Sequence, residues 1–134
     1  MKTLIVEDDF TSRLLLQAIL SPYGECHIAV NGREAIDAFI SARNDGIPYD
    51  LICLDIMMPE MDGQAALKEI RSIETENGIL SSSGVKIVMT TALGDPKNVI
   101  ASFMELCDAY IIKPVEKARL LDIISNMGLI ENGQ

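Results

Sequence analysis

Five short apolar runs rich in β-branched residues punctuate this chain: TLIV at 3–6, CHIAV at 26–30, LICLDI at 51–56, KIVMTT at 86–91 and AYII at 109–112. Each is followed by a segment whose apolar residues recur with helical spacing. A strand–helix alternation repeated five times leaves little choice of architecture, because parallel neighbours require crossover connections. Strands of such a sheet are covered on both faces, so they should read as continuous apolar runs and not as alternations, which these do. The expected fold is α/β, one domain over residues 1–134, with 129–134 as a frayed tail.

Leu14, Leu15, Ile19 and Leu20 are expected on the inner side of the first helix, which SPYG at 21–24 ends. NGREAIDAFISAR gives a second helix with Ala35, Ile36 and Phe39 inward. GQAALKEIRSI, DPKNVIASFMEL and EKARLLDIISNM give three more. Strand starts at 3, 26, 51, 86 and 109 leave one stretched interval, the third. Its excess falls in ETENGILSSSG (74–84), polar and rich in Ser and Gly, which is expected to form a surface loop.

Composition narrows the function. The balance of 20 acids against 11 bases, a net charge of −9, opposes the counterion-release attraction on which nucleic-acid binding depends, so direct contact with DNA or RNA is not expected. No apolar run approaches the roughly 18 residues of a membrane span, and MKTLIVE reads as a strand and not a signal peptide. A soluble, cytoplasmic protein without membrane contact is expected. Cys26, Cys53 and Cys107 are far apart, in neither a metal knuckle nor an even disulfide framework, and read as core thiols. His27, the single histidine, reads as structural.

In an open parallel sheet, ligands bind beyond the carboxyl ends of the strands, near the point where strand order reverses. Glu7-Asp8-Asp9 follow strand one, Asp55 ends strand three, Thr90-Thr91 end strand four, and Lys113-Pro114 follow strand five. Acids, a hydroxyl and an amine thus converge on one rim from distant parts of the chain. Clustered carboxylates repel one another, and a hard divalent cation such as Mg²⁺, bound by one or two carboxylates with waters and phosphate oxygens, relieves this. A carboxylate beside that ion can attack a phosphoryl group, a reaction governed by positioning and charge neutralisation. Asp55 is the expected nucleophile. Lys113 can pair with it and then with a phosphoryl oxygen, while a strand-four hydroxyl bonds another.

EDD at 7–9, DIMMPEMDG at 55–63, TTA at 90–92 and KP at 113–114 occur in that order, and with them the sequence resembles a receiver domain of two-component response regulators over essentially its whole length. The resemblance implies a doubly wound five-stranded parallel sheet, flavodoxin-like (βα)5, in strand order 2-1-3-4-5. It implies that Asp55 accepts phosphate, that Asp9 binds Mg²⁺ directly and Asp8 through water, that the backbone carbonyl of Met57 is a further ligand, and that Lys113-Pro114 is a cis bond. The family's hydroxyl directly precedes Ala or Gly, which selects Thr91 over Thr90. Tyr110 then takes the place of the aromatic that turns inward when Thr91 moves to the phosphoryl group, changing the surface of helix four, strand five and helix five. The implied partners are a sensor histidine kinase or a histidine phosphotransfer protein and a separate downstream protein, since the chain stops after helix five.

Two residues beyond Asp55 and Thr91 stand Met57 and Leu93, at positions that can hold polar groups orienting a hydrolytic water in this family. Both are apolar, so slow self-dephosphorylation is expected. A phosphatase of the haloacid-dehalogenase type also uses a strand-end Asp and Mg²⁺, but places a second Asp where this chain has Met57. A flavin-binding electron carrier would need a Ser- and Thr-rich phosphate loop where this chain has carboxylates. A degenerate receiver, signalling without phosphate, would lack an acid or the lysine, and none is missing.

Overall fold

A computed structural model describes residues 1–58, 63–79, 83–104 and 106–131. The β-branched runs form β1 (Thr3–Val6), β2 (Cys26–Ala29), β3 (Leu51–Asp55), β4 (Lys86–Thr91) and β5 (Ala109–Ile112). They make one all-parallel sheet in the order β2-β1-β3-β4-β5, the flavodoxin-like arrangement that the resemblance implied. Between and after them run α1 (Phe10–Leu20), α2 (Gly32–Asn44), α3 (Gly63–Glu76), α4 (Lys97–Met104) and α5 (Lys117–Asn126). The inner strands β1 and β3 are buried at every residue, whereas the edge strands β2 and β5 are partly exposed because each has a neighbour on one side only.

The sheet separates two apolar layers. One gathers Leu4, Val6, Ile52, Leu54, Ile87 and Met89 against Phe39 of α2 and Leu67 and Ile70 of α3. The other gathers Ile5, Leu51, Cys53, Val88 and Ile111 against Leu16, Ile19 and Leu20 of α1 and Leu120 and Ile124 of α5. Ala35, Ile36 and Phe39 are buried as the helical spacing predicts. The inner face of α1 differs from expectation. Leu16, Ile19 and Leu20 form it, and Leu14 and Leu15 are exposed. At about 100° per residue, Leu14 lies roughly 200° around the helix from Leu16, so the two cannot share a face. Of the thiols, Cys53 is buried while Cys26 and Cys107 are only partly so.

Two boundaries are corrected by the structure. The surface loop begins after Glu76, because α3 continues three residues beyond the expected end and Glu74 is buried, its carboxylate held by Arg71 at 2.6 Å and by the Val85 amide at 2.8 Å. Residues 80–82 of that segment lie outside the described residues. Residues 129 and 130 of the expected tail pack against the body of the fold. Gly128, at φ 80°, turns the chain after α5 so that the Leu129 amide bonds the Ile124 carbonyl, and Leu129 and Ile130 pack against the α1–α5 layer. Residues 132–134 lie outside the described residues.

Gly63 opens α3 directly beneath the end of β3. A Cβ there would lie 2.3 Å from the Asp55 carbonyl oxygen and 2.8 Å from the Ile56 Cα, backbone atoms that cannot move aside alone. Alanine would improve helix propensity by up to about 1 kcal/mol, but the overpacking costs about 1–3 kcal/mol. Gly63→Ala is therefore expected to lower the denaturant midpoint of unfolding; an unchanged or raised midpoint would show that the β3–α3 junction yields.

Candidate functional site

Registered neighbours in adjacent parallel strands project to the same face of the sheet. Ile5 pairs with Cys53 and Cys53 with Val88, an apolar row on the α1–α5 side. The next row towards the carboxyl edge is polar. Asp55 pairs with Thr90 and Thr90 with Ile111, and Glu7, whose amide continues the ladder to the Ala29 carbonyl at 3.0 Å, extends the β1–β3 register opposite Asp55. Lys113, two residues beyond Ile111, reaches over that row. Its ammonium lies 2.5 Å from Glu7 Oε1 and 3.4 Å from Asp55 Oδ2. The Lys113–Pro114 bond is cis.

Glu7 is fully buried and Asp55 is 5% exposed, so both acids depend on the lysine for charge compensation. Burial, followed by the facing Glu7 carboxylate, pushes Asp55 up to about 8, against the pull of Lys113 and the Met57 amide. For Lys113, burial pulls downward but is outweighed by the Glu7 hydrogen bond and the Asp55 and Glu7 charges, leaving its pKa above the usual lysine value. The folded protein holds the Asp55 proton more tightly than an unfolded chain titrating near 3.8, so this group makes the metal-free protein less stable as pH rises between about 4 and about 8. Lys113 contributes its own change only above about pH 10. The melting temperature of Asp55→Asn is accordingly expected to exceed that of the wild type in EDTA by a margin that widens from pH 5 to pH 8.5 and narrows when Mg²⁺ is added. A constant margin would place the repulsion elsewhere.

Among the described residues, Glu7, Asp8 and Asp55 form the group able to hold a cation, each offering an oxygen within 4.8 Å of the others. Glu7 Oε2 is buried with no partner there, and an acceptor left without a donor suits a bound cation. Hard oxygen donors in this number fit Mg²⁺. The expected ligand Asp9 is not part of the group. It is the N-cap of α1, accepting from the Ser12 amide at 2.9 Å, a bond that holds its carboxyl below the usual carboxylate range. Three consecutive acids conceal which of them faces the pocket; Glu7 still follows the alternation of β1, Asp8 comes next and the helix claims the third. That parity, readable once β1 is seen to continue through the Glu7 amide, was the signal for the missed Glu7.

Met57 is half-exposed and donates its amide to Asp55 Oδ1 at 3.3 Å. Thr91 is buried on the opposite face from Asp55, the face of Met89 and, through the Met89–Tyr110 pair, of Tyr110; its carbonyl accepts from the Lys113 amide at 2.6 Å. Tyr110 stands outward, 39% exposed, and Leu93 is 84% exposed. Pro59 and the rest of residues 59–62 lie outside the described residues. A larger cavity, about 670 Å³, lies away from the acids between Phe39, Tyr49, Ile79 and Glu74, and its buried acid is already satisfied by Arg71 and Val85. His27 bridges the Tyr49 hydroxyl at 2.7 Å and Glu25 at 3.0 Å, the structural role expected of it. No described helix is long and apolar enough to cross a membrane.

The acids after β1 and at the end of β3 flank the place where strand order reverses, which is where open α/β sheets bind ligands. Fold and site together define a flavodoxin-like α/β domain with an acidic, lysine-bridged pocket at its switch point. The family model of the response regulator receiver domain matches residues 3–125, and the chain belongs to that family: it is a receiver domain of the two-component type, a phosphoacceptor signalling domain.

Its similarity to the chemotaxis protein CheY of Bacillus subtilis is 32% identity over 126 residues, 92% of this chain and 94% of that protein. It is 36% identical over 120 residues to the probable transcriptional regulator ycf27 of Guillardia theta, spanning 89% of this chain but 42% of that protein. Against hybrid signal transduction histidine kinase I of Dictyostelium discoideum it spans 7% of the longer protein, at 31% identity over 92% of this chain. Among solved structures, the receiver domain of Saccharomyces cerevisiae Ssk1, crystallised with the histidine phosphotransfer protein Ypd1, aligns over 100% of this chain and 94% of its own at 27% identity and a TM-score of 0.78. The receiver domain of the Pseudomonas aeruginosa histidine kinase PA1611, with magnesium coordinated in its cleft, aligns over 95% and 97% at 26% identity and 0.76.

Proposed function

We propose that Asp55 is the phosphoacceptor of this domain and that Mg²⁺ binds between Asp8, Glu7, Asp55 and the Met57 carbonyl. The observation that carries this reading is the Lys113 ammonium lying between two buried acids, Glu7 and Asp55, at the switch point of the sheet. Magnesium bound there supplies neutralisation of the charge on the transferring phosphoryl oxygens. Asp55 attacks phosphorus, the donor's P–N or P–O bond breaks, and the leaving atom keeps the electron pair. Lys113 then follows the negative charge from the carboxylate to the phosphoryl oxygen. Thr91 closes on another phosphoryl oxygen, Tyr110 turns from its outward position into the space, and the face of α4, β5 and α5 changes.

Residues 1–134 form one receiver domain in this reading. The phosphodonor is a histidine kinase or a phosphotransfer protein of the kind seen with Ssk1, and output is through a further protein and not through nucleic acid. The unpaired Cys26, Cys53 and Cys107 suit a reducing compartment such as the cytoplasm.

Intact mass after incubation with acetyl phosphate tests the assignment: one phosphate-sized gain is expected with Mg²⁺ and none in EDTA, and a gain indifferent to the metal would reject it. Met57 and Leu93 offer no polar side chain to hold a hydrolytic water beside the acyl phosphate. Its half-life at saturating Mg²⁺ is therefore expected to be many minutes or longer, and decay within seconds would rule that argument out.

A further inference from the structure

Thr91 is the hydroxyl that the family resemblance selects, yet the sheet places its neighbour Thr90 in the same row as Asp55. In that row stand Glu7, Asp55, Thr90 and Ile111, each at most 5% exposed. The Thr90 Oγ1 is buried and has no hydrogen-bond partner among the described residues. Of its two registered neighbours, Ile111 offers only methyl and methylene groups, and Asp55 offers a carboxylate.

In the ionised form that attack on phosphorus requires, that carboxylate is short of donors. An ionised carboxylate accepts about four hydrogen bonds, and Asp55 receives the Met57 amide at 3.3 Å and the Lys113 ammonium at 3.4 Å, both long for charge-assisted bonds. The two residues are also tied through the backbone, since the Ile56 amide bonds the Thr90 carbonyl at 3.3 Å. Strands about 4.8 Å apart bring a threonine hydroxyl within reach of a registered carboxylate by a turn about χ1, which has three staggered wells. An unmade donor is therefore set beside an under-supplied acceptor.

We propose that Thr90 is a positioning residue for phosphoryl transfer: its hydroxyl donates to the Asp55 oxygen that does not bond phosphorus and fixes the plane of the carboxylate for in-line attack. The inference rests on Asp55 being the phosphoacceptor. As the other oxygen bonds to phosphorus and the donor's bond breaks, the non-bonding oxygen becomes the carbonyl of the acyl phosphate, and the Thr90 proton stays on Thr90 throughout. Thr91, on the opposite face, is left free for the phosphoryl oxygen, so the adjacent threonines serve different atoms.

Thr90→Val keeps the shape and removes the hydroxyl; Thr90→Ser keeps the hydroxyl. The measurement is phosphorylation rate against acetyl phosphate concentration at saturating Mg²⁺, followed by intact mass, alongside thermal unfolding. The maximal rate of the valine variant is expected to fall about tenfold, with its half-saturating acetyl phosphate concentration unchanged and its melting temperature equal to or above wild type. The serine variant is expected within twofold of wild type. If valine unfolds the chain, Thr90→Ala carries the same expectation for rate. A valine or alanine variant reacting within twofold of wild type, or a serine variant as slow as valine, overturns the proposal alone. A wild type that takes up no phosphate overturns the Asp55 assignment and this inference with it.

Discussion

Asp55→Asn is expected to lose the phosphate-sized mass gain completely, a drop of at least 100-fold in the rate of labelling by acetyl phosphate. The amide matches the carboxylate in size, so packing above Cys53 is preserved and the loss reports chemistry. Two substitutes are available in principle. Glu7 is fully buried and its Oε1 is held 2.5 Å from Lys113, so neither access nor a free lone pair favours attack from that oxygen. Asp8 is exposed, but it follows β1 and does not end β3, so it approaches from the other side of the switch point. Removing one of three carboxylates also weakens the cation site, which lowers any residual rate further. Retention of more than a tenth of the wild-type labelling rate, with the phosphate mapped to Glu7 or Asp8, would reassign the nucleophile.

The second large effect concerns stability. Arg71→Met is expected to cost about 3–5 kcal/mol, the range for removing one partner of a buried ion pair. The Arg71 guanidinium donates to four acceptors: Glu74 Oε1 at 2.6 Å, the Val85 carbonyl at 2.9 Å, the Leu106 carbonyl at 2.9 Å and Asp108 at 3.1 Å. It thereby joins the last turns of α3 to the starts of β4 and β5. Its loss leaves the Glu74 carboxylate, 3% exposed, held by the Val85 amide without its guanidinium partner. Since a domain of this size is stable by about 5–15 kcal/mol, the variant would sit near the edge of folding. Adding Glu74→Gln should recover about 1.5 kcal/mol or more, because the stranded charge and not the missing methylene packing carries most of the cost. Urea unfolding of the two single variants and the double variant measures this. A single-variant loss under 1 kcal/mol would mean that water reaches Glu74.

Much of this was legible in the chain. The five β-branched runs and the helical spacings between them specify parallel β–α units, because local pattern and crossover geometry admit few alternatives. Asp55, Lys113 and the acids after β1 stand out because polar residues abruptly end apolar runs. What pattern could not resolve was parity and termination. Glu7 joins the acid group and Asp9 stays outside it because the ladder continues one residue past Val6 and because α1 needs a cap, both long-range or junction effects. Glu74 looked like loop because a charged residue in a Gly- and Ser-rich neighbourhood carries no mark of burial; only its meeting with Arg71 and the Val85 amide makes burial tolerable.

The amino-acid sequence by itself determined the order of strands and helices, the apolar layers and the residue types available at the carboxyl rim, since these follow from periodicity and side-chain chemistry along a short stretch. Only the folded sheet decided which acids face one another, that Lys113 bridges Glu7 to Asp55, and that Thr90 lies in register with Asp55 while Thr91 points away. Register and sidedness arise from pairing between segments up to a hundred residues apart, and a one-residue difference in where a strand ends sends a side chain to the opposite face.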